Sequence, residues 1–165
     1  MIRVLGIDPG TVLLGYGIVE GPAKARLVEC GVLKAPARLP IERRLCELFD
    51  GVCGLVASFH PDEVAIEEPF VGVNVKSAFT VGRAQSVAIL AAARAGVPVS
   101  YYSPAEVKRQ VAGYGRGDKD QVRSMVMLQL GVKELDQKMD ATDALAVALC
   151  HLYCRDAARR LAVER

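Results

Sequence analysis

The chain has 165 residues, of which 52% are hydrophobic and 24% charged, and its net charge is +2, from 21 basic and 19 acidic residues. This length suits one ordinary domain, which buries about 70% of the surface that its unfolded chain exposes. The longest apolar runs, such as residues 87–93, are too short to cross a bilayer, and the first residues lack the pattern of a secretory signal. We therefore expect a cytoplasmic protein with a single domain over residues 1–165, in which 155–165 form a candidate mobile tail.

Three strands are predicted in the N-terminal part of the chain, at residues 3–8, 15–20 and about 26–34. Proline and glycine pairs break the chain between them. Because the connections are short, these strands are expected to form antiparallel hairpins.

The middle of the chain alternates helices with strands. Apolar residues recur at helical spacing over residues 41–59, and Pro61 ends that helix. Residues 64–67 are then a short strand, expected to run parallel to the first because a helix crosses over between them. A second long helix is predicted at residues 77–95 and a further strand at 99–102.

The C-terminal part is predicted to be helical. The sequence Ser-Pro-Ala-Glu from Ser103 is typical of a helix start with a capping box, and this helix ends at Gly113. The next helix is capped by Asp118 and ends at Gly131, and the last covers about residues 140–160. Hairpins followed by βα units predict an α/β fold with a mixed sheet of about five strands, flanked by helices.

Four acidic residues occupy positions that such a fold would bring together. Asp8 and Glu67 end apolar strands, and adjacent parallel strands end at the same edge of a sheet. Asp140 and Asp143 are three residues apart at a helix start, so both face one way near its positive end. Simpler interpretations are a capping box for the pair and an exposed strand-end acid, beside Glu68, for Glu67. Together the four suit Mg²⁺ or Mn²⁺, which prefer oxygen ligands.

A two-metal site of this kind suggests phosphodiester hydrolysis. Two ions about 4 Å apart would activate a water and stabilise the leaving oxygen without a protein nucleophile. The sequence offers no convincing serine or cysteine triad as a competitor. His60 and His151 suit ordinary surface or core histidines. The five cysteines include no CxxC pair, and most of them suit reduced core thiols better than a zinc site.

Several segments, in one order along the chain, recur in a known family. They are Gly6-Ile7-Asp8-Pro9-Gly10, Ala65-Ile66-Glu67 with Phe70, Val107-Lys108, Lys119 with Gln121-Val122, and Asp140-Ala-Thr-Asp143-Ala-Leu-Ala. From residue 3 to about residue 152 the chain thus resembles the RuvC family of bacterial Holliday junction resolvases. The resemblance implies a ribonuclease H-like fold and a homodimeric, metal-dependent endonuclease that nicks two opposed strands of a four-way DNA junction in recombination and repair. It also implies 5′-phosphate and 3′-hydroxyl ends, and the branch-migration proteins RuvA and RuvB as partners.

The resemblance further implies roles for single residues. The four acids correspond to the catalytic metal ligands, with Asp8 as the bridge between two ions. Lys108 and Lys119 correspond to lysines needed near the scissile phosphate, and Phe70 to an aromatic that stacks on an unpaired base. As alternatives, the lysines suit solvated helix surfaces and Phe70 suits a core position. Apart from the resemblance, phosphate contacts are expected from a basic patch of Arg83, Arg109, Arg116 and Arg123 with Tyr114, for which simple solvation is the alternative. Lys76 is a further expected DNA contact.

Dimerisation is also expected from the substrate. Two symmetric nicks in a two-fold junction call for two identical sites, which a C2 dimer provides. The face formed by residues 84–95 is small and apolar, so it suits either this interface or packing inside the monomer.

Other functions stay open at this point. Residues 6–11 also resemble the first phosphate-binding segment of actin-like ATPases and sugar kinases, although those proteins need two lobes and this chain supplies about one. A non-catalytic junction-binding scaffold would keep the fold and lose cleavage. A ribonuclease H or a transposase-like nuclease would use the same acids, and substrate competition would separate them.

Overall fold

The structure, a computed structural model, describes residues 1–22, 24–68, 75–113, 119–133 and 139–163, without the side chains of Lys119 and Val163. The strands are β1 Arg3–Asp8, β2 Leu13–Glu20, β3 Arg26–Lys34, β4 Glu63–Glu67 and β5 Val99–Tyr102. The helices are α1 Ile41–Phe59, α2 Val75–Arg94, α3 Pro104–Ala112, α4 Lys119–Leu130 and α5 Met139–Val163.

Each predicted element is present, with small shifts at its ends. Strand β2 and helix α2 each begin two residues earlier than their patterns indicated. Residues 155–163, the part of the candidate tail that is described, continue α5 as helix. None of the helices in the described ranges is long and apolar enough to cross a lipid bilayer.

The sheet has five strands in the order β3-β2-β1-β4-β5. Strands β1, β2 and β3 pair as antiparallel neighbours, whereas β4 pairs in parallel with β1 and with β5. The predicted mixed sheet is therefore confirmed. Since Ile7 lies opposite Ile66, the next residues of both strands, Asp8 and Glu67, reach the same edge.

Helices cover both faces of the sheet. On one face Leu5, Ile7 and Ile66 pack against α1 and α2, and on the other Val4 and Ala65 pack against α3, α4 and α5. Side chains alternate between the faces along a strand. Asp8 shares the face of Val4, and Glu67 that of Ala65, so both acids lie on the side of α5.

Four alanines of α2 belong to the monomer core. Ala84, Ala88, Ala91 and Ala92 are at most 1% exposed, and α2 packs against α1. Small side chains let the two helices approach closely, so this face is covered within one chain. Of the two interpretations that the sequence left open for this face, packing inside the monomer is the one that applies to these four alanines.

Both histidines have structural surroundings. His60 ends α1 in the left-handed region, at φ 47°, and donates its backbone N–H to Val56. His151 is buried, with Nδ1 2.8 Å from the Tyr102 hydroxyl and Nε2 2.5 Å from a Glu63 carboxylate oxygen. The prediction of ordinary surface or core histidines is confirmed.

The cysteines are all free thiols. Cys30 and Cys150 are buried, which agrees with core positions, but Cys46 is exposed. Burial raises the pKa of the Cys30 thiol above its usual value, and this favours the protonated form.

Candidate active site

The carboxyl ends of β1 and β4 carry the first two acids of the site. Asp8 is the last residue of β1 and Glu67 the last of β4, and the two strands are parallel neighbours. Both residues are half-buried. A strand end in the middle of a sheet is rigidly held, so these two carboxylates are fixed at one edge on the side of α5.

Helix α5 brings the other two acids to this edge. The helix begins at Met139, so Asp140 lies in its first turn rather than at its cap, and Asp143 follows one turn later. The backbone of Asp140 lies directly on Gly15 of β2, and Gly15 is the register partner of Asp8. The structure therefore places Asp140 beside the end of β1.

One cavity joins three of the predicted site residues. Glu67, Asp143 and Lys108 line a pocket of about 130 Å³. Its remaining lining comes from α3, α4 and α5 and consists of Pro104, Val107, Val122 and Ala146. Lys108 thus brings a positive charge into a cavity with two carboxylates and an otherwise largely apolar wall.

The position of Lys108 follows from the start of α3. The Ser103 Oγ accepts a hydrogen bond from the Glu106 backbone N–H at 3.3 Å, and a Glu106 carboxylate oxygen accepts from the Ser103 N–H at 2.8 Å. This is the predicted capping box, and it fixes the first turn of α3. Buried Val107 and Val111 then hold the helix against the core, which leaves Lys108 at the pocket.

The structure also separates the two adjacent glutamates of β4. Glu67 lines the pocket, whereas Glu68 is exposed and donates its backbone N–H to the Tyr102 carbonyl at 2.8 Å. Because successive side chains of a strand point to opposite faces, one of the two is directed to the site. Glu67, and not Glu68, therefore lies at the pocket.

The donor chemistry of the site fits a hard divalent cation. All four acids supply carboxylate oxygens, the ligands that Mg²⁺ and Mn²⁺ prefer. Within the described ranges, no three histidine, cysteine, aspartate or glutamate side chains are grouped closely enough to enclose an ion by themselves. Mg²⁺ commonly retains waters and takes further oxygens from substrate phosphates, so an open set of carboxylates is compatible with it.

The remaining predicted residues have different positions. Lys76 is exposed at the start of α2 and borders a second groove of about 530 Å³, between α2 and the turn at residues 10–13. Arg83 is exposed further along α2 and lines neither cavity. Phe70 and Arg116 lie outside the described residues, and Lys119 begins α4 with a side chain that is not described.

Tyr102 is a neighbour of the site that the sequence analysis did not identify. It lies opposite Glu67 in the pairing of β4 with β5, and its hydroxyl contacts His151 on α5. Burial raises the pKa of Tyr102 well above its usual value, so the phenol is neutral. An aromatic residue at the end of a short strand was the only signal that the sequence offered.

Comparison with known proteins shows the family of this chain. The model of the family described as crossover junction endodeoxyribonuclease RuvC matches residues 4–151. A protein of that name from Chloroflexus aggregans is 47% identical over 164 residues, which are 99% of this chain and 100% of the relative. One from Dehalococcoides mccartyi is 48% identical over 151 residues, 91% of this chain and 90% of its own.

Solved structures give the same result. Thermus thermophilus RuvC in complex with a Holliday junction substrate superposes with a TM-score of 0.90 at 37% identity, covering 96% of this chain and 97% of that chain. A second structure of Thermus thermophilus RuvC has a TM-score of 0.84 at 40% identity and covers 93% of this chain and 96% of that one. The ribonuclease H-like fold is therefore confirmed, and the kinase-like interpretation of residues 6–11 is set aside. This chain belongs to the RuvC family of crossover junction endodeoxyribonucleases.

Proposed function

We propose that this protein is a Holliday junction resolvase, which makes paired symmetric nicks in opposed strands of a four-way DNA junction and leaves 5′-phosphate and 3′-hydroxyl ends. The observation that carries this proposal is the pocket in which Glu67, Asp143 and Lys108 meet, next to Asp8 and Asp140. The relatives, which extend over the full length of the chain and are named as crossover junction endodeoxyribonucleases, support the same reaction.

The proposed cofactor is Mg²⁺ or Mn²⁺, with two ions in each site. The proposed ligands are Asp8, Glu67, Asp140 and Asp143. When bound, the metal supplies an activated water and charge stabilisation at the phosphate. The carboxylates of the chain position that chemistry at a rigid sheet edge. Lys108 lines the same pocket, and its positive charge is proposed to neutralise negative charge that develops on the phosphate oxygens. Lys119 is proposed to act with Lys108.

The proposed path of the DNA strand follows the two cavities. The groove beside Lys76 also carries Ser77 and Thr80, polar side chains that suit a phosphodiester backbone. Arg83 and Arg116 are proposed as further phosphate contacts, and Phe70 as the residue that stacks on an unpaired base at the junction centre.

The outer face of α2 supports the proposal of a homodimer. Val75, Phe79 and Leu90 are 55%, 69% and 54% exposed and fall on one side of the helix, at helical spacing. On the same side, an added Cβ at Gly82 would meet nothing within 4 Å, so there is room for a partner to approach closely. RuvA and RuvB are proposed as further partners, and the cytoplasm as the location, because the proposed substrate is DNA in recombination.

The test is nicking of a labelled synthetic four-way junction, compared with linear duplex and with an RNA–DNA hybrid, in Mg²⁺, Mn²⁺ or EDTA. Paired nicks are expected in the junction alone, and both EDTA and Asp8→Asn should abolish them while junction binding survives. Asp50→Asn makes the same chemical change at an exposed site on α1, on the opposite side of the sheet, and should leave nicking unchanged.

Two outcomes would contradict the proposal. Preferential cleavage of the hybrid would identify a ribonuclease that uses the same acids. Tight binding of the junction without nicks in either metal would identify a non-catalytic scaffold.

A further inference from the structure

Helix α5 lies so close to the sheet that three positions beneath it have no room for a side chain. An added Cβ would come within 2.1 Å of an atom of α5 at Gly6, within 2.0 Å at Gly15 and within 2.6 Å at Gly17. Real Cβ atoms essentially never approach other heavy atoms closer than 3.0 Å. Any substitution at these glycines therefore requires part of α5 to move.

Gly15 differs from the other two in what it contacts. Its added Cβ would lie 2.0 Å from the carbonyl oxygen of Asp140, 2.4 Å from its carbonyl carbon and 3.1 Å from its Cβ. These are mainly backbone atoms in the first turn of α5, which cannot rotate aside as the end of a flexible side chain can. On the strand, Gly15 is the register partner of Asp8. It therefore lies where the end of β1 and the start of α5 come together.

Backbone conformation does not explain a glycine at this position. The glycines with positive φ in the described ranges are Gly21, Gly96, Gly113 and Gly131. Gly15 instead has strand geometry that any residue can adopt. What the position requires is space.

We propose that Gly15 is a positioning residue for the acid cluster. Its missing side chain lets the first turn of α5 rest directly on β2, and this determines where Asp140 and Asp143 stand relative to Asp8 and Glu67. A methyl group at position 15 would have to move the start of α5 away from β2 by roughly 1 Å or more to reach an ordinary van der Waals distance. This inference rests on the proposed function, because it assumes that the four acids act together on a metal.

The experiment compares Gly15→Ala with wild type in three measurements: Mn²⁺ binding to the DNA-free protein by EPR, junction affinity in EDTA, and the rate of nicking. Mn²⁺ affinity is expected to fall about 10- to 100-fold, as it does when groups that orient metal ligands are changed. Nicking should slow by about 100-fold, the effect expected of a displacement of about 1 Å. Junction affinity in EDTA should be unchanged, since no DNA contact is lost.

Gly17→Ala is the matched control. Its added methyl group also lies on β2 and faces α5. The atoms that it would meet belong to Leu145, which lies beyond the first turn of α5. It is expected to lower Tm and to leave Mn²⁺ affinity near the wild-type value at temperatures where the protein is folded. If both variants weaken Mn²⁺ binding equally at equal loss of Tm, general destabilisation is the cause and the proposal is overturned.

The remaining outcomes are also decisive. A wild-type protein that neither binds Mn²⁺ nor nicks the junction would contradict the proposed function. If the wild type is active and Gly15→Ala has the same Mn²⁺ affinity and nicking rate, only the role of Gly15 is contradicted. Should Gly15→Ala unfold, the measurements are repeated in trimethylamine N-oxide, which favours compact states. A variant that still does not fold would show that Gly15 is needed for folding as a whole, and this too would overturn the proposal.

Discussion

At the scale of single residues, Lys108 is the cation that the structure places with two of the acids. It shares the pocket of about 130 Å³ with Glu67 and Asp143. A charge held on a partly apolar wall acts more strongly than one in water, because the local dielectric is lower. Its contribution to the proposed reaction should therefore be large.

Substitution of this residue gives the first prediction. Lys108→Ala should slow nicking of a four-way junction by about 100- to 1000-fold, the usual cost of removing one group that stabilises a transition state. Lys108→Arg keeps the charge and should recover part of the rate. Single-turnover nicking with saturating protein measures the effect. Lys24→Ala removes an exposed lysine near the opposite edge of the sheet and serves as control; an equal loss there would contradict a specific role for Lys108.

Tyr102 gives a prediction about alkaline stability. Burial raises the pKa of its phenol, so the folded protein holds the neutral form while the unfolded chain ionises near the ordinary value of about 10. Its contribution to stability is complete below that value and is lost as pH rises above it. Tyr102→Phe should lower the free energy of unfolding by about 1 kcal/mol at neutral pH, through loss of the bond to His151, and should reduce the decline above pH 10.

Urea unfolding at a series of pH values measures this effect. Tyr101→Phe is the control, because that neighbouring side chain is 44% exposed. A decline that is as steep in Tyr102→Phe as in wild type would mean that other groups control alkaline unfolding. Tyr16 and Tyr153, whose pKa values burial also raises, would then be the first to examine.

At the scale of elements, the start of α3 links local chemistry to the site. The hydrogen bonds from Ser103 lower the pKa of Glu106, so the folded protein favours the ionised carboxylate. The stabilisation is present above the unfolded pKa and is lost as pH falls through the lowered folded pKa. The element that carries Lys108 should therefore weaken in acid.

Removal of the cap tests this link. Ser103→Ala should cost about 0.5–2 kcal/mol of stability at neutral pH and should flatten the acid side of the stability profile. It should also slow nicking, because Lys108 lies one turn beyond the cap. Thermal unfolding between pH 3 and pH 7 is the measurement. Ser124→Ala, which changes an exposed serine within α4, should affect neither property; unchanged acid stability in Ser103→Ala would contradict the role of the capping box.

At the scale of the whole molecule, α2 has two faces with different roles. Ala84, Ala88, Ala91 and Ala92 are buried against the core, whereas Phe79 and Leu90 are exposed on the outer side. Exposed apolar groups at helical spacing are typical of an interaction surface. The proposed dimer would use this outer face, with no rearrangement of the core.

A charge on the outer face should therefore dissociate the dimer. Phe79→Glu is expected to give monomers in sedimentation velocity, without loss of secondary structure. Such monomers should still bind a junction but should lose paired nicking, because two identical sites are needed for two symmetric cuts. Leu128→Glu makes the same change at a leucine of α4 that is 73% exposed, and should leave the dimer intact. A wild-type protein that sediments as a monomer would contradict the proposal.

Much of this architecture follows from local patterns. The strands, the helices and the capping box at Ser103 were all predicted, because alternation, helical spacing and capping chemistry act over a few residues. The acidic residue types at the two strand ends and on α5 were also visible in the chain. The sequence did not decide whether the α2 alanines pack inside the monomer or form an interface, because a small apolar face suits both equally well.

The sequence by itself thus determined which residues are acidic, which elements carry them and to which edge of a parallel pair they belong. The tertiary structure decided how these parts meet: the Ile7–Ile66 register, the contact of Asp140 with Gly15, and the pocket that joins Lys108 to Glu67 and Asp143. The physical reason is the distance along the chain over which each effect acts. Propensity, periodicity and capping are properties of neighbours along the chain, whereas register and close packing depend on residues that only the fold brings into contact.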